Sequence, residues 1–248
     1  MPAYDFRSPR LHVEPLLEEG ARIALTRAHA HYLCTVLRLR SGERVLVFNG
    51  RDGEWNATIT TQGRAPALVI GGRARAQTAL ADLHYLFAPL KAARLDYMVQ
   101  KAVEMGASHL QPVITRHSQV RSVNAARMRA NAIEAAEQCG ILSLPEIAPP
   151  VSLARLLDER DPARCLVFCD ENVEAANPVA ALAGKADGPG VPLAILIGPE
   201  GGFAADERAT LLRLPNVVRL SLGPRILRAD TAAVAALALV QAVVGDWR

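Results

Sequence analysis

Long apolar runs are almost absent from this chain. No 18-residue stretch of them exists outside an alanine-rich segment near the carboxyl end, and that segment is too short to span a bilayer. The opening residues, MPAYDFRSPRLHVEP, carry charges and prolines where an export signal needs an apolar centre, so a cytoplasmic location is expected. Cysteine is scarce: Cys34, Cys139, Cys165 and Cys169 include no C-x-x-C pair and no His-Cys grouping at zinc spacing. No metal is expected, and reduced thiols follow from the compartment. Cys165 and Cys169 read as small hydrophobes on one face of a strand. The Gly/Lys/Ser-Thr phosphate loop and the G-x-G-x-x-G fingerprint are both missing, which argues against the common nucleotide-binding loops. A strong charge of one sign is missing too. The net charge is +3, but residues 1–75 hold 11 Lys+Arg against 7 Asp+Glu, and the remainder 17 against 18. A basic front third suits a polyanionic partner, and equally a merely solvated surface.

At 248 residues and 50% hydrophobic, the chain has material for one large core or two smaller ones. Its most informative stretch is residues 193–236. An apolar run, Leu193–Ile197, stops at Gly198-Pro199-Glu200-Gly201-Gly202; a helical pattern follows at 205–212, then a second apolar run at 217–222 that stops at Gly223-Pro224-Arg225. Two buried strands, each ending in a Gly-Pro turn before a helix, are the layout in which open α/β sheets bind ligands. Glycines let a ligand approach the main chain. Glu200 inside the turn would repel a polyphosphate, so a neutral or cationic adenine-bearing ligand suits it better, S-adenosylmethionine among them. A tight turn with purely structural glycines is the alternative.

Leu196-Ile197-Gly198-Pro199-Glu200-Gly201-Gly202-Phe203 with Glu207, followed by Leu222-Gly223-Pro224-Arg225-Ile226-Leu227-Arg228 and Asp230-Thr231-Ala232, resemble the paired signatures of the RsmE family. Its members are SPOUT-superfamily methyltransferases that act on N3 of a uridine in 16S ribosomal RNA. The resemblance implies an S-adenosylmethionine cofactor, the 30S subunit as target, a homodimer and a deep trefoil knot in residues 193–248. It implies that backbone groups of Leu196, Ile197, Gly198, Pro199, Glu200, Gly201, Gly202, Leu220, Ser221, Leu222 and Gly223 hold adenine and ribose. Leu227 would pack on the adenine, and Cys169, with Asp170, would close a third loop. A side chain at Gly198 is expected to invade the ligand's space.

The front of the chain reads as short strands at 22–25, 44–49, 55–61 and 67–71, with Asn49-Gly50 and Asp52-Gly53 as turns and one helix at 28–37. This is a small β-barrel or sandwich with one helix. His31-Tyr32-Leu33, Val36-Leu37-Arg38, Gly42 and Phe48-Asn49-Gly50 resemble the PUA-like RNA-binding domain of the same family. Arg38 and Arg40 then contact phosphates, or simply solubilise the surface. The domains are expected at 1–75 and 84–248, joined by a linker at 76–83 that overlaps the patternless segment 73–82.

From residue 84 strands and helices alternate, the mark of a parallel sheet: strand 84–89, helix 92–105 with Leu95, Met98, Val99 and Ala102 inward, strand 109–114, and a loop with Arg116, His117 and Arg121. A helix from the Asn124 cap to Cys139 buries Ala125, Met128, Ala132, Ala135 and Cys139. Helix 153–157, strand 164–169, a loop at Asp170-Glu171-Asn172, a helix at 178–183 and a connection at 185–192 lead to the stretch above. The closing helix, 231–244, carries Gln241 as its only polar side chain after Thr231. By resemblance, Lys91, Arg116, Arg121 and Gln138 face RNA, while Lys101 and Glu104 read as a helix-surface ion pair.

Methylating N3 requires alignment of nucleophile and methyl, removal of a weakly acidic proton, and stabilisation of charge on the base. Arg225 and Arg228 are the candidates for that charge. Asp230 is the candidate to orient an arginine or take the proton. Thr231 either caps the last helix or touches substrate. Cys139 reads as a packing residue, not a nucleophile, because N3 methylation needs no covalent adduct. The chain departs from the family pattern at Ala229-Asp230-Thr231, commonly Thr-Glu-Thr, and at Ile141, usually arginine. Two other readings remain: the same fold with a different RNA target, or an RNA-binding assembly protein with a decayed pocket.

Overall fold

In a computed structural model of the chain, residues 8–61, 65–170, 177–184 and 191–247 are described. Of the expected loops, Glu171-Asn172 and most of 185–192 lie outside them. The chain divides into two compact units: Met1–Ala79 with Ala136–Leu144, and Leu80–Ala135 with Pro145–Arg248.

The first unit is a curled five-stranded sheet. Its strands are β1 (Arg10–His12), β2 (Arg22–Ala24), β3 (Arg44–Phe48), β4 (Glu54–Thr60) and β5 (Ala67–Arg75), in the order β1-β3-β4-β5-β2. The β1–β3 pair is parallel and the others antiparallel. No ladder joins β1 to β2 among the described residues, so the sheet is a half-barrel rather than a closed barrel. Its core holds Leu33, Val45, Val47, Ala57, Ile59, Leu68 and Ile70. Along β4 and β5 this is the alternation of a sheet with one dry face.

The expected helix begins at Thr26, whose Oγ1 accepts from the His29 N–H at 3.1 Å. It runs as α1 (Arg27–Ala30), then widens into a π-helical turn, His31–Val36. The turn closes with the Leu37 N–H donating to Tyr32 O and leaves Arg38 at φ 58°. Strand β5 continues to Arg75, so the patternless segment is partly strand. Arg75 joins a buried ion triad: Glu54, 2% exposed, accepts from Arg10 Nε at 3.0 Å and from Arg75 Nε at 2.6 Å.

Residues 136–144 belong to this first unit although they follow a second-unit helix. Glu137 Oε1 accepts from the His12 N–H at 2.8 Å, Arg75 Nη2 donates to Gly140 O at 2.9 Å, and Gln77 Nε2 donates to Ser143 Oγ at 2.6 Å. Glu137 is therefore tied to a strand.

The second unit is a parallel sheet flanked by helices. In chain order it comprises β6 (Leu83–Phe87), α2 (Ala92–Glu104), β7 (His109–Ile114), α3 (Ala125–Cys139), β8 (Glu146–Ile147), β9 (Val151–Ser152), α4 (Leu153–Glu159), β10 (Cys165–Cys169), α5 (Pro178–Ala183), β11 (Leu193–Ile197), α6 (Ala205–Arg213), β12 (Val217–Leu220) and α7 (Ala229–Val243). The last residues of α3 count with the first unit. Strand order is β12-β10-β11-β6-β7-β8, with β9 also on β7 and every pair parallel. The Asn124 cap is present, its Oδ1 accepting from Arg127 N at 3.0 Å. Of the expected α3 stripe, Met128, Ala132 and Ala135 are buried; Ala125 and Cys139 are exposed.

Helix α7 packs on α2, α5 and β11. Gln241, its one internal polar side chain, is 1% exposed. Its Nε2 donates to Met105 O at 2.6 Å and its Oε1 accepts from Asp246 N at 3.0 Å. A Cβ on Gly245 would lie 1.9 Å from that Oε1, so this turn requires glycine.

Candidate functional site

Registry fixes the site. Phe168 pairs with Leu196 and Arg219, and Cys169 pairs with Leu220, so β10, β11 and β12 end at one edge of the sheet. Beyond those ends lies a cavity of about 160 Å³, open to solvent.

Of the expected cofactor residues, Ile197, Gly198, Pro199, Glu200 and Gly202 line the cavity from the first loop. Leu220, Ser221, Leu222, Gly223 and Leu227 line it from the second, and Cys169 from the third. Two do not. Leu196 is fully buried and points into the core beside Phe168 and Leu211. Gly201 turns toward His117, whose Cβ would lie 3.5 Å from an added methyl. Gly198 also meets a constraint from within the protein. A Cβ there would sit 2.6 Å from the Phe203 ring, which itself packs edge-on against Phe168 at 5.1 Å, so the glycine makes room for an aromatic wall of the cavity.

The loop after β11 is held from outside. His117 Nδ1 lies 3.1 Å from Gly201 O and 3.2 Å from Gly202 O, which requires its proton on Nδ1. Glu207 accepts from Ala204 N at 2.9 Å and from Arg116 N at 2.8 Å, capping α6 with one half of a capping box. Arg94, on the first turn of α2, is ion-paired with Glu200, and its Nε lies 4.0 Å from Asp230 Oδ2.

Among the expected catalytic residues, Arg225 lines the cavity. Arg228 and Asp230 do not; they sit at the start of α7, where Arg228 is the N-cap. Thr231 lies inside the helix and caps nothing, because Arg228 (φ −65°, ψ 151°) already makes the entry three residues earlier. The Cys169 thiol is pushed up to about 12 by burial, which makes it an inert wall. Cys139 is not among the lining residues.

Of the expected RNA contacts, Arg38, Arg40, Lys91, Arg121 and Gln138 are all exposed. Arg116 is exposed too, but its Nη2 donates to Asp206 Oδ2 at 2.5 Å. A surface pair of this kind is worth at most about 1 kcal/mol. Lys101 and Glu104 form the anticipated helix pair at 2.7 Å, with the ammonium over the Tyr97 ring.

Sequence reasoning named Asp170 at a third loop but missed its partners. Asp170, 2% exposed in its side chain, lines the cavity and accepts from Arg208 Nε and Nη2 (3.1 and 2.9 Å) and from Arg219 Nη2 (3.1 Å). Arg208 lines the cavity as well. These residues lie 38 and 49 positions apart, and no local spacing signals their meeting.

Comparison with known proteins follows the same division. An RNA methyltransferase domain model matches residues 77–241, and an RNA methyltransferase PUA domain model matches residues 25–69. Ribosomal RNA small subunit methyltransferase E of Rickettsia conorii is 32% identical, over 94% of this chain and 94% of its own. The protein of that name from Bacillus subtilis is 26% identical over 90% and 91%. The crystal structure of the Neisseria gonorrhoeae protein of that name, bound to S-adenosyl methionine, superposes with a TM-score of 0.84 at 26% identity, covering 98% of this chain and 100% of that one.

Proposed function

The chain belongs to the ribosomal RNA small subunit methyltransferase E family, and on that premise we propose that it methylates N3 of a uridine in 16S rRNA, using S-adenosylmethionine, on the assembled 30S subunit. The observation that carries this reading is the cavity at the ends of β10, β11 and β12. Its lining of Ile197, Leu220, Leu222 and Leu227, with main chain bared at Gly198, Gly202 and Gly223, fits a flat apolar base with polar edges. Bound there, the cofactor supplies an electrophilic methyl group on a cationic sulfonium.

The chain's own residues supply the rest. The enclosing loops hold methyl and nucleophile in line and limit water. Asp230, in the first turn of α7, would take the N3 proton of a bound uridine, and Arg94 beside it balances the carboxylate. Arg225, at the cavity, faces the uracil oxygens, where charge develops. Arg228 sits one turn away, at the helix entry, and contributes less. Arg38, Arg40, Lys91, Arg116, Arg121 and Gln138 contact the RNA.

The reading includes a knotted carboxyl-terminal region, domains divided near residues 76–83, a cytoplasmic location and a homodimer. Ile226, 90% exposed on the loop before α7, is an apolar side chain that a second subunit would cover.

Nucleoside mass spectrometry of 16S rRNA from a deletion strain tests the proposal. Loss of 3-methyluridine, and its return on complementation, is the expected result; an unchanged nucleoside rejects it. Calorimetric titration with S-adenosylmethionine separates an active enzyme from an assembly protein with a dead pocket.

A further inference from the structure

The cavity's charges are unevenly committed. Among the described residues, two acids and two arginines line it: Asp170, Glu200, Arg208 and Arg225. Glu200 is paired with Arg94. Asp170 is saturated by three N–H groups from Arg208 and Arg219. Both acids are therefore spoken for from within the protein, and the charge left facing the cavity is cationic.

Arg208 differs from Arg225 in how it is held. Its Nε and Nη2 grip the buried Asp170 carboxylate as a fork, which fixes the plane of the guanidinium. That bond also raises the guanidinium's pKa, so the positive charge is permanent. The fork uses two of the five guanidinium N–H donors. With its side chain 28% exposed and lining the cavity, the group still has donors to offer a ligand. A fixed cation would repel a sulfonium unless it met a negative group, and the cofactor has one: the carboxylate of its amino-acid tail. A planar fork is also the donor geometry that carboxylates prefer.

We propose that Arg208 binds the carboxylate of the cofactor's methionyl tail, with Asp170 as the positioning residue that orients it. This rests on the proposed use of S-adenosylmethionine and adds the part of the molecule that Arg208 recognises. Asp170 joins the end of β10 to α6 and β12, so the contact is built into three walls of the cavity at once.

Calorimetry on the full chain tests this with two nucleosides. S-adenosylhomocysteine keeps the amino-acid tail, and 5′-methylthioadenosine lacks it. Arg208→Gln is expected to weaken S-adenosylhomocysteine binding roughly ten- to a hundredfold, the scale of a charge-assisted contact, and to leave methylthioadenosine within about twofold. Arg208→Lys should recover part of the loss, and Asp170→Asn should show the same selectivity at smaller size. The selectivity between the two nucleosides, read at a temperature where each ligand-free variant is folded, separates this result from a loss of stability.

Equal weakening of both nucleosides overturns the inference, because the residue then serves the nucleoside or the fold. Unchanged binding of both with a raised KM for 30S particles also overturns it, and moves Arg208 to an RNA phosphate. If the unaltered protein binds neither nucleoside, it is the functional reading that fails.

Discussion

At the scale of single residues, motif identity and physical role separate. Gly198 was legible as a required glycine, but the constraint that Phe203 sets on it was not. Gly198→Val should therefore cost S-adenosylmethionine affinity tenfold or more, on the order of one unfavourable contact. Adding Phe203→Ala should restore part of it by calorimetry; no restoration would return the blame to the ligand's own space. Arg225 and Arg228 looked equivalent in the sequence, three apart in one motif. With Arg225 alone of the two at the cavity, Arg225→Ala should lower kcat about a hundredfold, the loss typical of a transition-state donor. Arg228→Ala should cost less, and a larger loss at Arg228 would reverse the order. The Asp170 group was invisible because its members come from three distant elements. So was the burial of Glu54 between two arginines. Glu54→Ala leaves Arg10 buried without that partner and should destabilise the first unit by roughly 3–5 kcal/mol in denaturant titration.

At the scale of elements, legibility follows length and burial. Strand β11 was readable because five consecutive buried apolar residues end at Gly-Pro. Strands β1, β8 and β9 were not, since two or three residues carry no period. The π-helical turn was read as plain helix: apolar spacing over six residues does not distinguish a wider turn from a regular one. The start of α7 was misplaced because Thr231 resembles a cap, whereas burial of Ala229 and Ala233 draws the helix back to Arg228. Gln241 stood out as the one polar residue on an apolar helix, and its two bonds explain it. Gln241→Leu would orphan Met105 O and Asp246 N, and should lower stability by about 1–3 kcal/mol. A neutral melting curve would contradict that role.

At the scale of the whole molecule, the hydrophobic period changes near residue 84, whereas the return of residues 136–144 to the first unit leaves no such signal. Acid sensitivity belongs to this scale as well. At the amino edge of the parallel sheet, His84 stacks on His109 at 4.5 Å, and Arg164 pairs with Asp82 at 2.7 Å. Burial first, then Arg164 and His109, depresses the His84 pKa to about 4, so the folded chain resists a proton that the unfolded chain accepts near 6.5. The hydrogen bond from Arg164 lowers Asp82. Both signs agree: stability is full above pH 6.5 and declines as pH falls toward 4. The denaturation midpoint should drop between pH 7.5 and 5, and His84→Gln should flatten that slope. The short return of the chain has a genetic corollary. The front module is encoded in two separated pieces, so a single crossover at residue 79 cannot transplant it between relatives. A chimera made that way would inherit Arg75 without the Gly140 carbonyl, and His12 without the Glu137 carboxylate, that the module evolved with.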